Sequence, residues 1–190
     1  MPPTELEMPM SQPGACDAPK SPAGEYVAIA PMSERQRSEG IAAIADAPSR
    51  LRHAVAMLGP TELATRYRNW TVRQIAAHLL DSHTNAFIRF KLALTEEAPT
   101  IKPYEEDRWV RLSDSEACDL ELLLDSFELL HRRWTHLLAS LAPPDFARCY
   151  IHPANAATVR LDEALGMYVW HGRHHTAQIE WLRNRHSWGK

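Results

Sequence analysis

The chain has 190 residues, 45% of them apolar and 24% charged, with a formal net charge of -3, a size that buries one substantial core and argues against two full domains. That charge offers no basic footprint for nucleic acid, no run approaches the ~18 apolar residues of a membrane span, and Cys16, Cys118 and Cys149 are too few and too scattered for a disulfide framework or a thiolate zinc site. With neither a basic region nor a long apolar core at its start, the sequence reads as a soluble cytoplasmic protein without nucleic-acid or membrane partners.

Residues 1–24 are rich in Pro, Ser, Gly and Ala and lack periodic apolar positions, so they read as a disordered tail ahead of a single domain over 25–190. Ser33 with Gln36 forms a capping box that opens a first helix through Ile41, Ile44, Leu51, Val55 and Leu58. Pro48 lacks an amide hydrogen and its ring crowds the carbonyl four residues earlier, so this helix is expected to bend or restart there; Gly59-Pro60 ends it. Thr71 and Gln74 form a second capping box, with Trp70 placed to staple onto Ile75, and a second helix follows from Thr71 to about Leu94. Residues 96–112 read as a long crossover containing Tyr104 and Trp109, the kind of loop that serves as a lid or partner surface. Ser113 with Glu116 is expected to start a third helix, which carries Leu120, Leu124, Phe127, Leu130, Trp134 and Leu141 and stops at Pro143-Pro144. Two short β-prone runs, Arg148–Pro153 and Thr158–Leu161, suggest a small hairpin. A fourth helix begins near Asp162-Glu163, whose carboxylates suit its positive end, and reaches about Arg185. Four amphipathic helices without sheet-forming alternation predict an all-α four-helix bundle.

The fourth helix carries His171, His174 and His175. Residues four apart share a helix face, so His171 and His175 can aim at one point, although His171 with His174 is an alternative pair. A helix supplies only two such donors, and His78 on the second helix is the best third. At about 1.5 Å of rise per residue, the depths of these side chains match if the second and fourth helices run parallel, as they do in an up-down-up-down bundle. Asp81, Asn85 and Gln178 are placed to accept the other ring N–H of a ligating imidazole. The remaining histidines, His53, His83, His131, His136 and His186, read as surface or amphipathic-face residues, and His152 as a turn residue rather than a lining of the site mouth. Trp134 and Phe127 read as core, Cys149 as a small packed hydrophobe, and Arg89 and Lys91 as solvated charges rather than an anion site.

The runs Trp70–His83, Phe87–Glu96 and Tyr168–Ile179, with Thr100–Tyr104 in the crossover and Ile151-His152-Pro153 before the last helix, resemble the YfiT branch of the DinB/YfiT-like metalloenzymes over roughly residues 25–182. The resemblance implies a four-helix bundle, a homodimer, and one divalent metal per chain, zinc or nickel, held by His78, His171 and His175. It departs from the family pattern at Arg68-Asn69, where the family often has Gly-Gly, and at Arg160, where it commonly has threonine. Three neutral imidazoles leave a divalent ion an open position, which suits catalysis. The implied activity is a metal-dependent hydrolase that activates water on a small-molecule substrate. The alternative is an S-transferase that uses a low-molecular-weight thiol, and a non-catalytic metal-binding or interaction bundle is the reading from another class.

Overall fold

The computed structural model describes residues 17–154 and 156–189. The disordered-tail reading of residues 1–16 lies outside them, as does Cys16. Residues 17–24, read from sequence as part of the same tail, instead lie against the rest of the chain. The Ala18 carbonyl accepts from Arg68 Nη1 (2.9 Å), the Pro19 carbonyl from the Tyr67 hydroxyl and the Gly24 carbonyl from Trp170 Nε1 (2.8 Å), while Asp17 pairs with Arg185.

Four long helices build the bundle: α1 (Glu34–Val55), α3 (Val72–Thr95), α6 (Leu120–Ala139) and α7 (Leu161–His186). The capping boxes at Ser33 and Thr71 form as expected, each side-chain oxygen taking the amide of the residue three on. Pro48 sits inside α1, and the helix runs through it as one element rather than restarting. After α1, a single turn α2 (Pro60–Leu63) leads into a hairpin of β1 (Arg66–Tyr67) and β2 (Trp70–Thr71), elements that no pattern in the sequence predicts. The crossover contains two short helices, α4 (Glu106–Trp109) and α5 (Ser113–Glu116). The third long helix therefore does not begin at Ser113. The Asp119 carboxylate accepts the Glu121 amide at 3.2 Å and starts α6 as a separate helix. The expected hairpin pairs β3 (Cys149–His152) with β4 (Ala157–Arg160) in antiparallel register, and the crossover bonds to its outer edge between Ile101 and Ile151.

Each of α1 and α3 packs against both α6 and α7, so α1 and α3 are diagonal rather than adjacent. Contacts set the directions. Arg52 of α1 reaches Glu121 and Asp125 while His131 reaches back to Ile44, so α1 and α6 are antiparallel. His83 stacks on His131 and Phe90 meets Trp134 edge to face, so α3 and α6 are parallel. His78 meets His175 while Arg89 meets Tyr168, so α3 and α7 are antiparallel. The up-down-up-down arrangement with parallel second and fourth long helices is thereby corrected to up-down-down-up. The physical cause is the crossover: parallel neighbours cannot be joined by a tight turn, so the chain between α3 and α6 must return along the bundle.

The buried apolar residues form two clusters. One gathers Ile44, Phe90, Trp134, Leu165 and Tyr168; the other gathers Leu51, Ile75, Leu79, Phe127 and Ile179. Between them, on three of the four long helices, lies a layer of histidines.

Candidate metal centre

His78 projects from the second turn of α3, and His171 and His175 stand one above the other on α7. Antiparallel packing brings all three together, and one nitrogen from each lies within 4.8 Å of the others. His78 Nε2 faces His171 Nε2 at 3.2 Å. Two nitrogens bound to one tetrahedral ion at about 2.0–2.1 Å would be about 3.3 Å apart, so this pair fits a shared ion. The rings pack edge to face, with centroids 4.5–5.1 Å apart. Burial, reinforced by the neighbouring histidines, pushes His78 down to about 3 and His171 well below its ordinary value. Burial likewise pushes His175 down, to about 4, even though Gln178 favours its charged form. Neutral imidazole is the form a metal requires.

Gln178 acts as expected: its Oε1 accepts from His175 Nδ1 at 2.8 Å, which leaves His175 Nε2 free to coordinate. Its amide nitrogen donates to His174 Nε2 at 3.0 Å, so His174 is held outside the three-nitrogen group. Asp81 and Asn85 do not take the role read for them: the Asn85 amide donates to the Asp81 backbone carbonyl along the same helix, and neither side chain reaches His78 Nδ1. His78 Nδ1 is buried without a partner among the described residues.

Four residues sit differently from the sequence reading. His83 and His131, which read as surface or amphipathic-face residues, are 0% and 1% exposed. Their rings stack with centroids 4.9 Å apart, and His83 touches His171. A single apolar stripe on α3 predicts one buried face, but α6 and α7 cover the helix from two sides, and His83 faces both His131 and His171. Trp70, read as a staple, lays its indole against His78 (centroids 4.4 Å) and His175 (5.9 Å), with Nε1 pinned by Asp107 of the crossover at 2.8 Å. Arg89 is partly buried and donates to the Tyr168 hydroxyl at 2.9 Å instead of being solvated, whereas Lys91 is exposed. His53, His136 and His186 are exposed as expected, Phe127 and Trp134 are core, and His152 ends β3 at the hairpin turn.

A cavity of about 390 Å³ opens onto His175 and Gln178. Its walls are Tyr67, Arg68, Asn69 and Trp70 of the β1–β2 hairpin, Asp107 of the crossover, and Lys20. Arg68-Asn69, the departure from the family pattern, therefore lines the mouth of the histidine site. Arg68 occupies the left-handed region at φ +53°, a conformation unusual for a side chain with a Cβ.

Comparison with known proteins gives one family and one fold. A family model described as the DinB superfamily matches residues 43–179. YfiT of Bacillus subtilis, named "Putative metal-dependent hydrolase YfiT", is 43% identical over 169 residues that cover 88% of this chain and 95% of that protein. A Bacillus mycoides protein, also named "Putative metal-dependent hydrolase", is 44% identical over the same span of 169 residues. The solved structure of the Bacillus subtilis YfiT, described as "a probable metal-dependent hydrolase with an unusual four-helix bundle topology", superposes with a TM-score of 0.86 and covers 89% of this chain and 98% of its own.

Proposed function

The chain belongs to the DinB superfamily, and we propose that it is a metal-dependent hydrolase of a small-molecule substrate, with His78, His171 and His175 holding one divalent ion, zinc or nickel. The observation that carries this reading is the convergence of three imidazole nitrogens within 4.8 Å of one another, with one of the three, His175, on the wall of a cavity. A structural site would be closed by a fourth protein donor, and among the described residues no fourth His, Cys, Asp or Glu joins the group.

Each chain group has a definite task. His78, His171 and His175 present lone pairs to one point, and Gln178 fixes His175 with its proton on Nδ1. Trp70 packs its indole against the His78 and His175 rings from the cavity side, while Asp107 holds the indole in place. Lys20 and Arg68 outnumber Asp107 at the mouth, a balance that favours an anionic or strongly polar substrate. A divalent ion bound there supplies Lewis acidity toward a carbonyl and a nucleophile from water near pH 7.

Elemental mass spectrometry on untagged protein tests the ligand set. The wild type and His174→Ala should carry close to one metal per chain, and His78→Ala, His171→Ala and His175→Ala should lose it. A paired screen of esters and amides, with thiol acceptors alongside, then tests the reaction: metal-dependent hydrolysis supports the proposal. Metal-dependent consumption of a thiol by an electrophile, without addition of water, would replace hydrolase by S-transferase. Low metal in all five proteins would return the histidines to a structural role.

A further inference from the structure

A line of hydrogen bonds runs inward from the candidate ligand His171 to the backbone of α1. His171 Nδ1 meets His83 Nε2 at 3.4 Å, His83 Nδ1 meets His131 Nε2 at 2.9 Å, and His131 Nδ1 meets the Ile44 carbonyl oxygen at 2.6 Å. That carbonyl is available because of Pro48. In an α-helix the Ile44 oxygen would accept from the amide of residue 48, and proline has none. A bare carbonyl buried in the core costs free energy unless another donor reaches it. His131 is that donor.

The carbonyl gives the line a direction, because a carbonyl oxygen only accepts. His131 must therefore carry its proton on Nδ1, which leaves its Nε2 bare when the ring is neutral. A bare Nε2 accepts, so His83 carries its proton on Nδ1 and is bare at Nε2. His171 then donates from Nδ1, and its own Nε2 is left as a lone pair facing His78. Neutrality follows from enclosure: His83 and His131 are 0% and 1% exposed, and the ring nitrogens along the line meet another imidazole or the Ile44 carbonyl rather than a carboxylate. The Nδ1–H form is the minor tautomer of a free imidazole, so the protein selects it three times in a row.

We propose that Pro48, His131 and His83 form a tautomer relay that sets His171 with its coordinating nitrogen unprotonated and aimed at the metal point. His83 and His131 are then positioning residues, and Pro48 is the element that anchors them. The relay rests on the metal reading only in its last step; the tautomers of the three rings belong to the chain with or without metal.

The test uses the full chain labelled with 15N-histidine. In metal-free protein, long-range 1H–15N correlation spectra should show His83, His131 and His171 all as Nδ1–H tautomers. His131→Phe removes the acceptor for His83, so His83 and His171 should turn to Nε2–H, and affinity for Zn²⁺ and Ni²⁺ should fall about 10- to 100-fold. His131→Gln keeps a donor for Ile44 and an acceptor for His83, so it should restore both the tautomers and the affinity. Pro48→Ala supplies the missing helix amide, which competes for the Ile44 oxygen. Without lowering the melting temperature, it should mix the tautomers and weaken metal binding, and it remains informative if His131→Phe does not fold. Nε2–H tautomers at His83 or His171 in the wild type overturn the relay, as does wild-type metal affinity in folded His131→Phe or Pro48→Ala. If the wild-type tautomers are as stated but the protein takes up neither ion, the relay stands and the metal-dependent function fails.

Discussion

Gln178 holds two imidazoles at once, accepting from His175 Nδ1 and donating to His174 Nε2. Replacing it by leucine leaves the His175 N–H buried without an acceptor and frees the ring to rotate or change tautomer. Gln178→Leu should weaken metal binding by about 10- to 100-fold, read by competition with a chromophoric chelator, while Gln178→Glu should keep affinity within a few-fold. Equal losses in both variants would show that the side chain acts by volume alone. Trp70 touches two of the three candidate ligands from the cavity side, and Arg68 reaches the same mouth from a left-handed turn position. Neither is visible as a site residue from spacing, because a hairpin turn and a helix-entry aromatic have structural readings of their own.

At the scale of elements, α7 begins without a side-chain cap on its first residue. Arg160 is the capping residue, and its guanidinium reaches forward to the buried carboxylate of Asp162 with two bonds of 2.9 and 2.8 Å. The same carboxylate accepts from the Met32 amide and from the amide of Glu163, and so ties the start of α7 to the segment before α1. Burial pushes the Asp162 carboxyl up, yet these donors, Arg160 foremost, hold it below its ordinary value. Arg160→Ala should cost about 1–3 kcal/mol, toward the lower end because two backbone donors remain, measured by urea unfolding at pH 7. A change within 0.3 kcal/mol would show that those backbone donors suffice. Arg160 thus joins the start of α7 by an ion pair in place of a side-chain cap, and α7 starts at Leu161, one residue ahead of the acidic pair that marks it in the sequence.

Across the whole molecule, two apolar clusters enclose a layer of neutral histidines, and this couples stability to pH. His78 is pushed down to about 3, and His131 and His175 to about 4, burial being the first cause in each. In the unfolded chain these rings titrate near 6.5. Between pH 6.5 and about 4 the unfolded state binds more protons, so the stability these rings give is whole above pH 6.5 and drains away as the pH falls through that window. His131 alone accounts for something on the order of 3 kcal/mol. Metal-free protein should therefore lose most of its stability between pH 6.5 and 4, and His131→Gln should flatten that slope; a slope unchanged in the variant would assign the acid sensitivity to other groups. The sequence by itself determined the four long helices, two of the capping boxes, the hairpin before α7, and a histidine pair on one face of α7 that spacing left open between His171 with His175 and His171 with His174, because these follow from periodicity and spacing along one segment. Only the tertiary structure decided that α3 and α7 run antiparallel, that His83 and His131 are interior, and that Trp70 and Arg68 border the site. Those outcomes depend on which helices become neighbours. A repeat within one helix shows that a face is buried but carries nothing about what buries it, and the return of the chain through residues 96–119 set the neighbours here.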